Sequence, residues 1–185
     1  GGDGAPGGTG YVNIFSNDYA FAALKDDGSI KAWGVGHYGG DGAPTDSGYV
    51  NIVPNGYAFA ALKPDGSITA WGNSSRGGDG APTDTGYVEI FSNTFAFAAL
   101  KSDGSITAWG DSSKGGTAPS SVTDVTDPSF NPIVNVFSTR ESFAAYRADG
   151  TIAGWGNSYY GGDGAPGGTG YVNIFSNDYA FAALK

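Results

Sequence analysis

Three kinds of segment recur along this chain of 185 residues, and each has its own pattern of apolar and polar positions. In residues 39–76 the first is "YVNI" (49–52), apolar and polar in alternation. The second is "AFAALK" (58–63) and the third is "SITAWG" (67–72). Alternation over a few residues bounded by turn signals predicts short strands. Alanine and leucine favour helix, but six residues between turn signals are too few to sustain one, so "AFAALK" also reads as a strand. Asp65-Gly66 joins the second and third segments, and Asp-Gly between two apolar runs predicts a β-hairpin. The glycine supplies the positive φ and the aspartate bonds nearby backbone amides. Asp27-Gly28, Asp103-Gly104 and Asp149-Gly150 repeat the device. These aspartates are therefore read as turn residues rather than as metal ligands or acids.

The pattern is copied. "GGDGAP" begins at 1, 39, 77 and 161, and "GGTAP" takes its place from 115. The units run 1–38, 39–76, 77–114, 115–160 and, truncated, 161–185. Trp33, Trp71, Trp109 and Trp155 keep one register at the end of the third segment, where each ring is expected to pack on the next unit. The fourth unit is longer, and its extra residues fall in the Pro-, Ser- and Asp-rich stretch 120–132, which reads as a surface loop. A three- to four-stranded sheet of this size is marginal alone, so the copies are expected to stack and bury one another. The small alanines predict sheet on sheet, with Phe59 and Leu62 filling the remaining space. Residues 1–25 recur without a change at 161–185, which sets a second period of 160 residues, four units long. The fold class is all-β.

Composition narrows the functions. The net charge is −9 with nine Lys and Arg, which argues against nucleic acid as a partner, since such binding needs a basic surface. With no cysteine there is no disulfide, thiolate metal site or cysteine nucleophile. No apolar run is long enough to insert in a membrane, and the absence of methionine makes the sequence read as an internal piece of a longer one. His37 is the single histidine and has no counterpart in other units, so it reads as a polar loop residue. Glu89 and Glu141 are the only glutamates and stand far apart in sequence, a poor basis for a catalytic pair. No enzyme is expected.

"GGDGAPTDSGY" invites comparison with the calcium-binding G-G-x-G-x-D repeat, but Pro44 and Pro82 stand where the ligand aspartate is needed. Asp41 with Asp46, and Asp79 with Asp84, remain weak calcium candidates, since hard cations require several oxygen ligands. No other cofactor is expected. Tyr159, Tyr160 and Phe130 break the repeat and are the candidates for a partner surface, protein or glycan.

The order Ala-Phe-Ala-Ala-Leu-Lys-x-Asp-Gly-Ser-Ile-x-Ala-Trp-Gly, followed by glycines, resembles the regulator of chromosome condensation repeat, and the likeness runs over the whole chain. It is similar to the short-bladed bacterial type, and "GGDGAP" departs from the "GQLG" of eukaryotic repeats. The resemblance implies β-propeller blades, commonly seven, and binding of a protein partner. Seven units of 38 residues would need about 266 residues, so this chain is expected to form part of a seven-bladed ring or an open superhelical, filamentous array. Two functions follow as expectations. One is a structural segment of a giant secreted bacterial protein, a fibre, stalk or adhesin at the cell surface or outside it, associating with further copies of the same repeat. The other is a propeller that binds a protein.

Overall fold

The computed structural model describes residues 4–185. Its strands fall into five antiparallel sheets, one per unit, each in the order of the chain. The first sheet holds β1 (Tyr11–Ser16), β2 (Ala20–Lys25) and β3 (Ile30–Gly34); the second holds β4 (Asn51–Pro54), β5 (Ala58–Leu62) and β6 (Ile68–Gly72). The third holds β7 (Tyr87–Ser92), β8 (Ala96–Lys101) and β9 (Ile106–Gly110); the fourth holds β10 (Ile133–Ser138), β11 (Ser142–Arg147) and β12 (Ile152–Gly156). The fifth has two strands, β13 (Asn173–Ser176) and β14 (Phe181–Leu184). Three strands per complete unit is thus the number, not four. A one-turn 3-10 helix follows the third strand each time, at Gly36–Tyr38, Ser74–Arg76, Ser112–Lys114 and Ser158–Tyr160.

The Asp-Gly hairpins form as expected. Lys63 N–H donates to Ser67 O at 3.0 Å and Gly66 N–H to Lys63 O at 2.9 Å, which closes a three-residue loop with Gly66 at φ +80°. Asp65 Oδ1 accepts from Ser67 N–H (2.9 Å) and Ser67 Oγ–H (2.7 Å), which fixes the loop locally. The ordinary low carboxyl value of Asp65 is pushed lower still by these two bonds, that from the Ser67 amide first.

The first strand differs from simple alternation. Opposite β8, Tyr87 pairs Lys101 and Glu89 pairs Leu100, so one extra residue bulges between them. The bulge turns both Tyr87 and Ile90 into the core, at 3% and 6% exposure, and leaves Val88 outside. Val12, Val50, Val134 and Val172 are exposed at the same place.

Successive sheets stack face to face, and the second strand shows how. Ala58, Ala60 and Leu62 point to the following unit and pack with Tyr87, Ile90, Phe97, Ala99 and Trp109. Phe59 and Ala61 point the other way, to Ala20, Ala22, Leu24 and Ile30 of the unit before. Trp71 lies in that second cluster, and Trp109 and Trp155 lie likewise in the clusters shared with the unit before, so these three tryptophans pack on the preceding unit rather than on the next. Its indole N–H donates to Gly39 O (3.1 Å); Trp109 and Trp155 do the same to Gly77 and Gly115 (3.1 and 3.0 Å). The partner ring is the phenylalanine across the hairpin, Phe59, Phe97 or Phe143, with centroids 5.2, 5.2 and 5.4 Å away.

Backbone bonds lace the seams, at two edges from the second unit onward. Gly86 N–H and Tyr87 N–H donate to Asp65 O and Gly66 O of the unit before, at 3.1 and 3.3 Å. At the other edge Gly56 N–H donates to Thr94 O, Thr94 N–H to Arg140 O, and Arg140 N–H to Asp178 O, each at 3.1 Å. The latter residues belong to the turns between first and second strands, and those turns from all five units line one common channel of about 770 Å³.

The fourth unit keeps this plan with compensating changes. Ile133 stands where other units have tyrosine, and Val122 of the insertion is fully buried in the same cluster, adding the volume isoleucine lacks. The insertion is not loop throughout: Ser120–Thr123 forms one helical turn, α1. Arg147 replaces the lysine of other units and reaches back to Ser121 O at 3.0 Å.

Candidate functional site

Among the described residues no cluster of catalytic side chains emerges; the features able to meet a partner are faces and edges. The first is a belt along the array, made by two residues per unit. The residue before the second strand (Tyr19, Tyr57, Phe95, Glu141, Tyr179) alternates with the last residue of the 3-10 turn (Tyr38, Arg76, Lys114, Tyr160). Tyr38 lies between Tyr19 and Tyr57, with centroids 4.3 and 5.6 Å away. The Arg76 guanidinium lies over Phe95 at 4.7 Å and Tyr57 at 5.9 Å and also pairs with Asp111. Lys114 pairs with Glu141, and Tyr160 stacks on Tyr179 at 5.4 Å. The contacts Tyr38–Tyr57, Arg76–Phe95, Arg76–Asp111, Lys114–Glu141 and Tyr160–Tyr179 join neighbouring units, so the belt adds to the seam.

Glu141 is the one acid buried in this belt. Burial alone would raise its carboxyl, but bonds from Lys114 and from Asn157 Nδ2 (2.6 Å) outweigh it and hold the group below the usual glutamate value. Glu89 is exposed on β7, so the two glutamates do not form a pair of catalytic carboxylates. His37 is exposed in the first 3-10 turn, its Nε2 2.7 Å from Asn73 Nδ2.

A second repeated device escaped sequence reasoning. Asn55 and Asn93 are buried, each at 6% exposure, in the turn after the first strand. Asn93 Oδ1 accepts from Phe95 N–H and Ala96 N–H, and its Nδ2–H donates to Lys114 O at 2.7 Å. Asn17 and Asn55 repeat the set with Tyr38 O and Arg76 O. This ties the inner turn to the 3-10 turn that leads into the following unit. The recurrence of Asn at 17, 55, 93 and 177, with Thr139 substituting, was the signal available in the sequence.

The calcium candidates are occupied differently. Asp46 accepts from Lys63 Nζ and from the Tyr49 hydroxyl (3.0 Å), and the lysine first, then the tyrosine, lowers its carboxyl value. Asp84 repeats this with Lys101 and Tyr87. Asp79 Oδ1 accepts from Gly80 N–H at 2.7 Å, and Asp41 is exposed. Among the described residues no group of three or more His, Asp or Glu side chains is placed to hold a metal ion. Where units 1 and 5 have glycine in place of this aspartate, Lys25 and Lys185 still lie over Tyr11 and Tyr171, at 5.0 and 4.9 Å.

The three residues singled out for a partner surface are not brought together. Tyr159 is 88% exposed beside Tyr160, at the seam between units four and five. Phe130 is half-buried in the insertion and lines a separate hollow with Arg147 and Asp149. No helix among the described residues is long and apolar enough to cross a membrane.

Apolar side chains are also exposed on the two outer sheet faces. In the first unit Ile14 is 58% and Phe21 38% exposed, where the inner counterparts Ile52 and Phe59 are 2% and 0%. In the fifth unit Phe175 and Leu184 are 56% and 53% exposed. These end faces do not close on one another.

Comparison with protein-family models finds no match, and comparison with curated proteins finds none. Solved structures do match in fold. The CRINKLY WD40 ectodomain of the Arabidopsis thaliana receptor kinase ACR4 superposes with a TM-score of 0.62 at 16% identity, over 94% of this chain and 59% of that one. Prp20p from Saccharomyces cerevisiae, described with its binding to Gsp1p and histones, gives 0.56 at 20% identity, over 79% of this chain and 43% of that one. Yeast RCC1 (Prp20) in its complex with Kap60 gives 0.53 at 19%, with 79% and 42% covered. The chain spans roughly half the length of these proteins. The likeness establishes a propeller-like, all-β fold of repeated blades.

Proposed function

We propose that this chain is a non-enzymatic structural segment of a long extracellular bacterial repeat protein, a fibre, stalk or adhesin whose units add end to end. One observation carries the reading. Residues 161–185 repeat residues 1–25 without a change, which sets a repeating block of 160 residues, and each copy is buried on the side where a neighbouring unit is present. Leu24 is 6% exposed beneath the second unit, whereas its twin Leu184 is 53% exposed. Ile174 is 2% exposed on the fourth unit, whereas its twin Ile14 is 58% exposed. A contact that repeats without closing generates filaments, and the 160-residue period supplies the repeating block. The cysteine-free, acidic composition suits a soluble structural protein outside the cell.

A protein-binding propeller is the second reading. The belt favours it, because its row of aromatic residues is interrupted in one place per 160 residues, at Glu141. Electron microscopy of the concentrated protein separates the two. Filaments with an axial or helical repeat of one four-unit block support the structural reading. Closed discs of fixed blade number would retire it in favour of the binding module.

A further inference from the structure

The chain has eleven tyrosines and neither cysteine nor methionine. The sulfur groups that readily take up an oxidant are absent, which leaves phenol and indole rings to meet one. Of the four indoles, those of Trp71, Trp109 and Trp155 are buried at 4% exposure. Tyr49 and Tyr87 are buried too, and their hydroxyls are engaged by Asp46 with Thr69 and by Asp84 with Thr107. The phenols of the belt are different, because they lie at the surface ring against ring.

Tyr19 and Tyr38 are stacked with centroids 4.3 Å apart and planes inclined by 28°, the closest pair of rings among the described residues. One buttress holds both. Asn17 Oδ1 accepts from Tyr19 N–H at 2.9 Å, and Asn17 Nδ2 donates to Tyr38 O at 2.8 Å. Tyr19 is 43% exposed with the second unit following, and its twin Tyr179 is 59% exposed with Tyr160 of the preceding unit stacked on it, so neither neighbour covers the position. The pairing of two tyrosines within a unit belongs to the first unit alone among the four complete ones. The same two positions hold Tyr57 with Arg76, Phe95 with Lys114, and Glu141 with Tyr160 in the others.

We propose that Tyr19 and Tyr38 are an oxidative modification site, at which their rings are joined by a carbon–carbon bond between the Cε atoms beside each hydroxyl. The co-reactant is hydrogen peroxide acting through a peroxidase. Each phenol gives up one electron and one proton, and the two phenoxyl radicals couple at carbon. The hydrogens on the coupled carbons then move to the oxygens, which restores both aromatic rings. The two electrons and two protons released reduce one hydrogen peroxide to two waters. Proximity selects this pair over Tyr38 with Tyr57, whose centroids are 5.6 Å apart and planes tilted by 55°, and over Tyr160 with Tyr179 at 5.4 Å. The bond would close a loop around the first hairpin, a constraint that a chain without cysteine cannot obtain from a disulfide.

The test treats the dilute 185-residue chain with a peroxidase and limiting hydrogen peroxide, and takes the single-chain fraction. That fraction should lose two hydrogen atoms in mass, gain the blue fluorescence of a biphenol, and yield on proteolysis a fragment joining Tyr19 to Tyr38. It should also unfold at a higher urea concentration than the untreated chain. Tyr38→Phe keeps the ring stack and should lower the yield of linked single chains about tenfold or more. Tyr159→Phe removes the most exposed tyrosine and should leave that yield unchanged. Treatment in urea should abolish the Tyr19–Tyr38 product. Links found only between chains, a bond located at another tyrosine pair, an undiminished yield in Tyr38→Phe, or an equal yield from the unfolded chain would each overturn the site.

Discussion

Residues 1–25 and 161–185 have one sequence and two environments. In the first copy Ala20, Ala22 and Leu24 are buried beneath the second unit, while Ile14 lies open to solvent. In the second copy Ile174 is buried against the fourth unit, while Ala180, Ala182 and Leu184 are exposed. The difference cannot come from local propensity, since the residues are the same. It comes from which neighbour is present. In this fold a strand's burial belongs to the seam, and a unit is only half stabilised by its own residues.

The contrast predicts unequal costs for equivalent substitutions. Phe97→Ala, inside the seam between the second and third units, should cost about 4 kcal/mol in urea unfolding, while Phe21→Ala at the open end should cost about 1 kcal/mol. Equal losses would break the comparison. Gly66→Ala should cost about 2–3 kcal/mol by the same measurement, because the added methyl would sit 2.4 Å from Tyr87 N of the following unit at a φ of +80°. A smaller loss than at an exposed turn would mean that the seam yields easily.

Charge gives a third, pH-dependent contrast. Lys114→Met leaves Glu141 buried without its cation and should cost about 2 kcal/mol near neutral pH. The Glu141 carboxyl is held below its unfolded value, so its stabilisation is present above about pH 4.3 and disappears as pH falls through the folded value. Urea unfolding between pH 3 and 7 should therefore show the parent losing its advantage over the variant in acid. The smallest pair is at the inner turn. Asn93→Ala removes a buried acceptor for two amides and the bond to Lys114 O, and should cost about 1–2 kcal/mol. Asn177→Ala, in an exposed turn, should cost about 0.5 kcal/mol or less.

The sequence made the sheets legible because they are locally determined. Asp65-Gly66 specifies its own hairpin, and "AFAALK" between turns has room only for a strand. What it left unread depends on the third dimension. The tryptophans were expected on the next unit and lie on the preceding one, because the facing of a strand follows from its pairing and from the stacking of sheets, not from spacing. The bulge before Glu89 hid the burial of both Tyr87 and Ile90, since an extra residue reverses the alternation. Val122 looked like part of a polar loop, and only the shorter Ile133 explains why it is drawn inside. Tyr160 was singled out because it broke the repeat, yet its stacking on Tyr179 needed the curvature of the array.

The central claim is that units of this repeat add end to end through the same seam that joins them inside the array. Sedimentation equilibrium of the chain beside its Ile14→Asp variant tests it most directly, because Ile14 is 58% exposed and the variant leaves the interior seams untouched. The account predicts an average mass that climbs with concentration through multiples of the single chain, and a variant that stays at one chain over the same range. A parent that remains a single chain at every concentration, or a variant that associates equally well, would contradict it.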